Sequence, residues 1–240
     1  METRARLKEA AQRLFAERGI DGVSIDQILA AAGQRNKASL HYHFGTKLDL
    51  VRELVIDGAK VIDEKRQAMV DQLEQDGQLT ARKLMEALVL PVLELYSVTG
   101  QATYVRMIAN LQLSNRAFLR EALADTWNTG YRRCMEHMAR IVTHVPQPIL
   151  EQRLSVSSIA GNAILAAWES SRDQGSEGSA FWSPVFTLEN VLDALVAIIC
   201  APPDAATLDK LNLASSSKPE PHKPKAGRPK DGAKLPSMRR

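Results

Sequence analysis

The chain has 240 residues and a net charge of +3, with 45% hydrophobic and 25% charged residues, as in ordinary globular proteins. Its two cysteines, Cys134 and Cys200, are too few for a disulfide framework or a cysteine-rich zinc site. A charged start without an apolar core argues against a signal peptide, and every apolar run is shorter than the roughly 18 residues of a membrane helix, so we expect a cytoplasmic protein without membrane contact.

Helical periodicity dominates the sequence from its start and predicts an all-α fold. The first helix has an apolar stripe of Leu7, Ala11, Leu14 and Phe15 and should end at Gly19. Ser24 and Gln27 have the spacing of a capping box for a second helix, which Gly33 should end.

A third helix should begin near Asn36 or Lys37 and end at Phe44 and Gly45. Few of its positions are apolar, so only one narrow face can pack inward. Thr46 can cap a long fourth helix that ends near Gly77. Further helices are predicted over roughly 80–97, 101–112, 116–144, 148–171 and 184–200, with Pro91 kinking the first of them.

The segment 202–240 is rich in proline and poor in apolar residues, which predicts a disordered tail. Residues 215–240 carry a net charge of +6 and residues 1–48 a net charge of +3, which leaves −6 for the middle of the chain. Two basic ends around an acidic middle indicate that the binding partner is a polyanion, and that only the two ends contact it.

Residues 31–47 place cations, hydrogen-bonding groups and a tyrosine on the short third helix and the turn before it. Two short helices, joined by a turn that contains glycine and braced by a first helix, describe a helix-turn-helix. The second helix of that motif enters the major groove of DNA, where its exposed side chains meet bases and phosphates. This polar cluster is therefore predicted to contact DNA.

The first 50 residues resemble the DNA-binding domain of TetR-family transcriptional regulators. The matching positions are Ala32, Gly33, Leu40, His43, Phe44, Thr46, Lys47 and Leu50, preceded by Phe15, Gly19, Gly22 and Ser24. Between Gly33 and Phe44 the chain has one residue more than the common pattern, and His41 stands where the family has tyrosine. A longer turn can absorb the extra residue without changing the fold. The operator sequence is expected to depend on the side chains at the start of the third helix, which are shifted or replaced relative to the family.

The resemblance implies DNA contacts for Ser24, Arg35, Asn36, Lys37, Ser39, His41, Tyr42, His43 and Lys47. Arg35 could pair with guanine and Asn36 with adenine, while Lys47 would meet a phosphate. The alternative is that Tyr42 and His43 cover the helix and that the cations form a solvated face.

The resemblance further implies three parts: a helix-turn-helix domain over 1–50, a helical ligand-binding and dimerisation domain over 51–201, and the basic tail over 202–240. The last two long helices would form a four-helix dimer interface, unless they are buried within one subunit. Met107, Trp127, Tyr131 and Trp168 could line an effector cavity, although such residues are more often core.

The tail contains Gly227-Arg228-Pro229, the centre of an AT-hook, in which Arg228 would lie in an A·T-rich minor groove. Ala226 stands where a full hook carries a basic residue. A solvated basic tail with nonspecific phosphate attraction is the favoured interpretation.

The sequence offers no phosphate loop, nucleophile elbow or dinucleotide turn, so an enzyme is not expected, and neither is a cofactor or a metal. We expect a homodimeric, ligand-responsive repressor that binds a palindromic operator of double-stranded DNA. The alternative is a helical adaptor that uses its helix-turn-helix to bind protein.

Overall fold

The structure is a computed structural model that describes residues 3–36, 38–99, 103–124, 126–172 and 180–216. Within these residues it contains helices and no strand, as predicted. The chain divides into two compact units, Met1–Pro202 and Pro203–Arg240.

The first unit contains ten described helices. They are α1 (Thr3–Arg18), α2 (Ile25–Ala31), α3 (Ala38–Phe44), α4 (Lys47–Gln75), α5 (Ala81–Thr99), α6 (Tyr104–Ser114), α7 (Arg116–Leu123), α8 (Thr129–Ile141), α9 (Gln147–Ser171) and α10 (Thr187–Cys200). We call α1 to α3 the N-terminal module. The module packs on α6 through α1 and on the start of α4.

The second unit contains a helix, α11 (Ala205–Ser216), where the sequence predicts the start of the disordered tail. The tail prediction is therefore wrong for these residues. The reason is local, because the Asp204 side chain accepts a hydrogen bond from the Ala206 backbone N–H and caps the first turn. The rest of the predicted tail lies outside the described residues.

The predicted single helix over 116–144 is also wrong, because α7 and α8 are separate helices. At Ala124 the backbone is extended, with φ −53° and ψ 133°, which ends α7. The buried carboxylate of Asp63 accepts a hydrogen bond from the Gly130 N–H at 2.9 Å and fixes the start of α8. The chain between the two helices therefore turns where the periodicity alone would continue.

Helix α5 continues through Pro91. Since proline lacks an N–H, the Ala87 carbonyl one turn earlier has no helical donor. The buried guanidinium of Arg66 supplies one, with Nε 3.2 Å from the Ala87 oxygen and Nη2 3.0 Å from the Leu88 oxygen. A charged side chain of α4 thus completes the backbone hydrogen bonding of α5.

Among the described residues, no single helix is long and apolar enough to cross a membrane, although Thr187–Cys200 and Ala205–Leu213 meet that length and composition when taken together.

Candidate nucleic-acid interface and effector cavity

The turn before α3 is built from local hydrogen bonds. Gly33 has φ +67°, and the N–H groups of Gly33 and Gln34 donate to the carbonyls of Ala30 and Leu29. This is the left-handed helix end that glycine favours, so Gly33 ends α2 as predicted. Residues 32–36 then continue outside a helix as far as the structure describes them, before α3 begins at Ala38.

The capping predictions at the two neighbouring helices are confirmed. Ser24 and Gln27 form both hydrogen bonds of a capping box at α2. Thr46 and Asp49 form the equivalent box at α4, and the hydrogen bonds from Thr46 hold the pKa of the Asp49 carboxyl below its usual value. The two caps fix where α2 and α4, the helices on either side of α3, begin.

Helix α3 buries only Leu40 and Phe44, so the rest of its surface faces outward. Tyr42 is the most exposed of the aromatic side chains there, at 84%. Its ring meets the half-buried ring of His43 edge-on, with centroids 5.1 Å apart. Two buried anchors and an exposed polar face are the arrangement that a groove-reading helix requires.

Besides Ser24 in its capping box, three of the predicted DNA contacts have side-chain hydrogen bonds within the protein. The Asn36 side chain accepts from the Ala38 N–H at 2.9 Å and so caps α3. The Nδ1–H of His41 donates to the Gly45 carbonyl at 2.8 Å, so that Nε2 is the acceptor nitrogen of the neutral ring. The ammonium of Lys47 donates to carbonyl oxygens within the module, described below.

The Lys47 ammonium lies 2.9 Å from each of the carbonyl oxygens of Ile20 and Val23. It therefore ties the first turn of α4 to the loop between α1 and α2. Arg35 and Ser39 lie at or near the surface of the turn and of α3, and Arg35 is exposed. Lys37 and Arg228 lie outside the described residues. For all nine positions of the predicted interface, contact with DNA stays a prediction.

A cavity of about 350 Å³ lies among helices α4 to α10. Trp127 and Tyr131, two of the predicted ligand residues, line it, while the other two do not. Met107 is fully buried in the core, and Trp168 stacks on Trp182 with centroids 6.0 Å apart. Lys60 of α4 lies over the Trp127 ring, 5.5 Å from its centroid.

Sequence reasoning missed the cationic residues of this cavity, Arg66, Arg116 and Arg120. The last two are four residues apart on α7, a spacing that places them on one helix face. Because residues 116–144 were predicted as one uninterrupted helix, that spacing did not point to a cavity. The position of Arg66 in the cavity wall follows from its hydrogen bonds to the α5 carbonyls that precede Pro91, and its own sequence neighbourhood does not indicate them.

Two histidines that could suggest a metal site have other partners. His137 lies 2.6 Å from the Glu74 carboxylate, and Nε2 of His144 donates to the Cys200 carbonyl. Hydrogen bonds from His137 and Arg133 hold the pKa of Glu74 below its usual value. Burial raises the pKa of the Cys134 thiol to about 11, so this cysteine is protonated at neutral pH.

Residues 7–54 match the model of the tetR family of bacterial regulatory proteins. This range covers α1 from Leu7 onward, α2, α3 and the first two turns of α4. No curated protein sequence matches the chain significantly.

Solved structures also match the chain at low sequence identity. A crystal structure assigned to a tetR family transcription regulator of Shewanella sp. PV-4 is 16% identical, with a TM-score of 0.52 over 83% of this chain and 97% of that one. The regulator PfmR of Thermus thermophilus is 16% identical, with a TM-score of 0.46 over 85% and 98%. The superantigen PfiT is 18% identical, with a TM-score of 0.45 over 84% and 98%. At 16% identity and a TM-score of 0.52, the likeness to the Shewanella structure concerns the fold alone.

Proposed function

The chain belongs to the TetR family of DNA-binding transcriptional regulators, and from this premise we propose that it is a homodimeric repressor that a small molecule releases from a palindromic operator. The family is one of regulators and not of enzymes. The protein-binding adaptor is disfavoured, because the segment that it would use is the one that matches a DNA-binding domain.

The exposed face of α3 is the single observation that supports DNA recognition by the residues of α3 and of the turn before it. With Leu40 and Phe44 turned inward, Tyr42 and Arg35 remain exposed for bases or phosphates. Repression is the simpler outcome of binding, since occupying a promoter obstructs transcription without a further polymerase contact. A cytoplasmic location follows from the same proposal.

The dimer proposal is supported by the outer face of α9. Val156 is 52% exposed and Ile159 is 36% exposed, and Ala163 and Ala167 continue the same face towards the C-terminal end. Small and apolar side chains along a helix allow a second helix to approach closely. A two-fold axis here would pair two α3 helices with the halves of a palindrome.

Two helices connect the cavity to the N-terminal module and support the release proposal. Helix α4 contributes Ala59, Ile62 and Arg66 to the cavity, and its first residue is tied to the module. Helix α6 also lines the cavity, and its Asn110 donates to the carbonyls of Phe15 and Ala16 in α1. An effector that moves either helix would change the position of α3. We also propose that the chain has a DNA-binding domain over 1–50, a ligand-binding and dimerisation domain over 51–201, and a tail over 202–240.

The test is selection of bound duplexes from a random pool with the full-length protein. We expect a palindromic site, and we expect Arg35→Ala to relax preference at one base pair in each half-site. The matched control is Arg132→Ala, which removes an exposed arginine of α8, far along the chain from the module. A recovered site without two-fold symmetry would contradict the dimer, and no enriched site would contradict sequence-specific repression.

A further inference from the structure

The cavity has apolar walls, and the charged side chains that line it in the described part of the chain are all positive. Its apolar residues come from every helix between α4 and α10 and include Met85, Val89, Ile108, Met135, Leu165 and Leu195. The charged side chains that line it among the described residues are three arginines, Arg66, Arg116 and Arg120. No aspartate or glutamate of the described part of the chain lines the cavity.

The three arginines differ in what they can offer to a ligand. Arg66 is buried, and its Nε and Nη2 already donate to the Ala87 and Leu88 carbonyls. The buried carboxylate of Asp63, one turn earlier on α4, attracts its positive charge. Arg66 is therefore a structural member of the wall, because its guanidinium is already bonded to the backbone of α5.

Arg116 and Arg120 are the available cations. They are exposed and at the same time line the cavity, which places them at its mouth. Their spacing of four residues puts both guanidinium groups on one face of α7. Within the described part of the chain, neither forms an ion pair with an acidic side chain.

We propose that the cavity binds an amphipathic carboxylate, with its apolar body among the inner walls and its carboxylate held by Arg116 and Arg120. The planar fork of an arginine matches a carboxylate and can donate two parallel, charge-assisted hydrogen bonds to it. The apolar body gains free energy because it leaves water for a lining of Leu, Ile, Val and Met side chains. The proposal deepens the proposed function, since it names the class of effector for the same cavity and rests on that cavity being the effector site.

Calorimetric titration of the full-length protein tests the head-group preference. The probes are octanoate, decanoate and dodecanoate below their micelle concentrations, with the alcohols and trimethylammonium compounds of equal chain length as neutral and cationic counterparts. We expect the carboxylates to bind at least about tenfold more tightly than the alcohols, and the cations more weakly still. Equal affinity for alcohol and carboxylate, or no binding of any carboxylate, would overturn the proposal.

The arginine variants test the position of the carboxylate. Arg116→Gln and Arg120→Gln should each weaken carboxylate binding by about tenfold and leave alcohol binding unchanged. Arg132→Gln, an exposed arginine of α8 outside the cavity lining, is the matched control. Both variants are at exposed positions, and circular dichroism verifies that they fold. Unchanged carboxylate affinity in both variants would place the head group elsewhere and overturn the assignment.

Release of the selected duplex is measured separately by fluorescence anisotropy. Carboxylate binding without release would leave the ligand class intact and contradict the switching mechanism. Intact duplex recognition without carboxylate binding would overturn the ligand class and leave DNA reading unaffected. The two failures are therefore distinguishable.

Discussion

At the scale of single residues, Lys47 has a structural contact beside its predicted role at the DNA backbone. Its ammonium donates to the Ile20 and Val23 carbonyls, and the side chain is half-buried. Lys47→Met would leave both carbonyls without this donor. We expect the free energy of unfolding to fall by about 2 kcal/mol, measured by urea denaturation, because hydrogen bonds to charged groups contribute on this scale.

The control is Lys83→Met, which removes only an exposed ion pair with Glu86 and should cost less than about 0.5 kcal/mol. The salt dependence of operator binding separates the two roles of Lys47. A phosphate contact would lower the slope by about one on substitution, whereas a purely structural lysine would leave it unchanged. Unchanged stability in Lys47→Met would contradict the structural role.

The residues of the turn show how far the sequence can predict such partners. Residue types at Asn36 and His41 indicate hydrogen-bonding groups near DNA, and both positions are exposed. They do not reveal that Asn36 caps α3 or that His41 bonds the Gly45 carbonyl. These bonds depend on the path of the backbone through the turn, which residue types alone do not specify.

At the scale of helices, Arg66 and Pro91 are coupled across α4 and α5. Arg66→Met should destabilise the protein by about 2 kcal/mol, because it leaves the buried Ala87 carbonyl without a donor. In a Pro91→Ala background the new N–H can bond that carbonyl within α5, so the same substitution should cost at least about 1 kcal/mol less. Denaturation of the four proteins of this cycle measures the coupling, and additive effects would contradict it.

The ring of Tyr104, the first residue of α6, lies against the backbone of α4 at Gly58. A Cβ at Gly58 would lie 2.3 Å from a ring carbon of Tyr104, whose hydroxyl donates to the Val55 carbonyl at 2.9 Å. Gly58→Ala should therefore destabilise the protein by about 2 kcal/mol despite the higher helix propensity of alanine. In a Tyr104→Leu background the penalty should largely disappear; if thermal unfolding shows the same loss in both, the ring is not its cause.

Helix existence was predictable wherever an apolar stripe and a cap occurred together, as at Leu7 to Gly19 and at Thr46 to Gly77. The prediction of one helix over 116–144 was wrong because the helical spacing of apolar residues continues across the break between α7 and α8. The group that fixes the start of α8 is Asp63, 67 positions earlier in the chain. A partner so distant in sequence leaves no local pattern, and the cavity cations Arg116 and Arg120 were missed for the same reason.

At the scale of the whole molecule, the proposed dimer makes the outer face of α9 essential for operator binding. Ala163 is exposed at the centre of this face, so Ala163→Glu would place a charge in each copy close to the two-fold axis. We expect the wild-type protein to sediment at twice the mass of one chain and the variant to sediment as a monomer. Affinity for a palindromic duplex should fall by about a hundredfold, because the second half-site is then no longer bound intramolecularly.

Affinity for a single half-site should be unchanged in the same variant, since α3 and its supports are untouched. Ala124→Glu is the matched control, because it makes the same substitution at an exposed residue between α7 and α8 and should remain a dimer. A dimeric Ala163→Glu protein with full palindrome affinity would move the interface away from α9. Equal losses at the palindrome and the half-site would instead indicate damage to the N-terminal module, because loss of dimerisation alone spares the half-site.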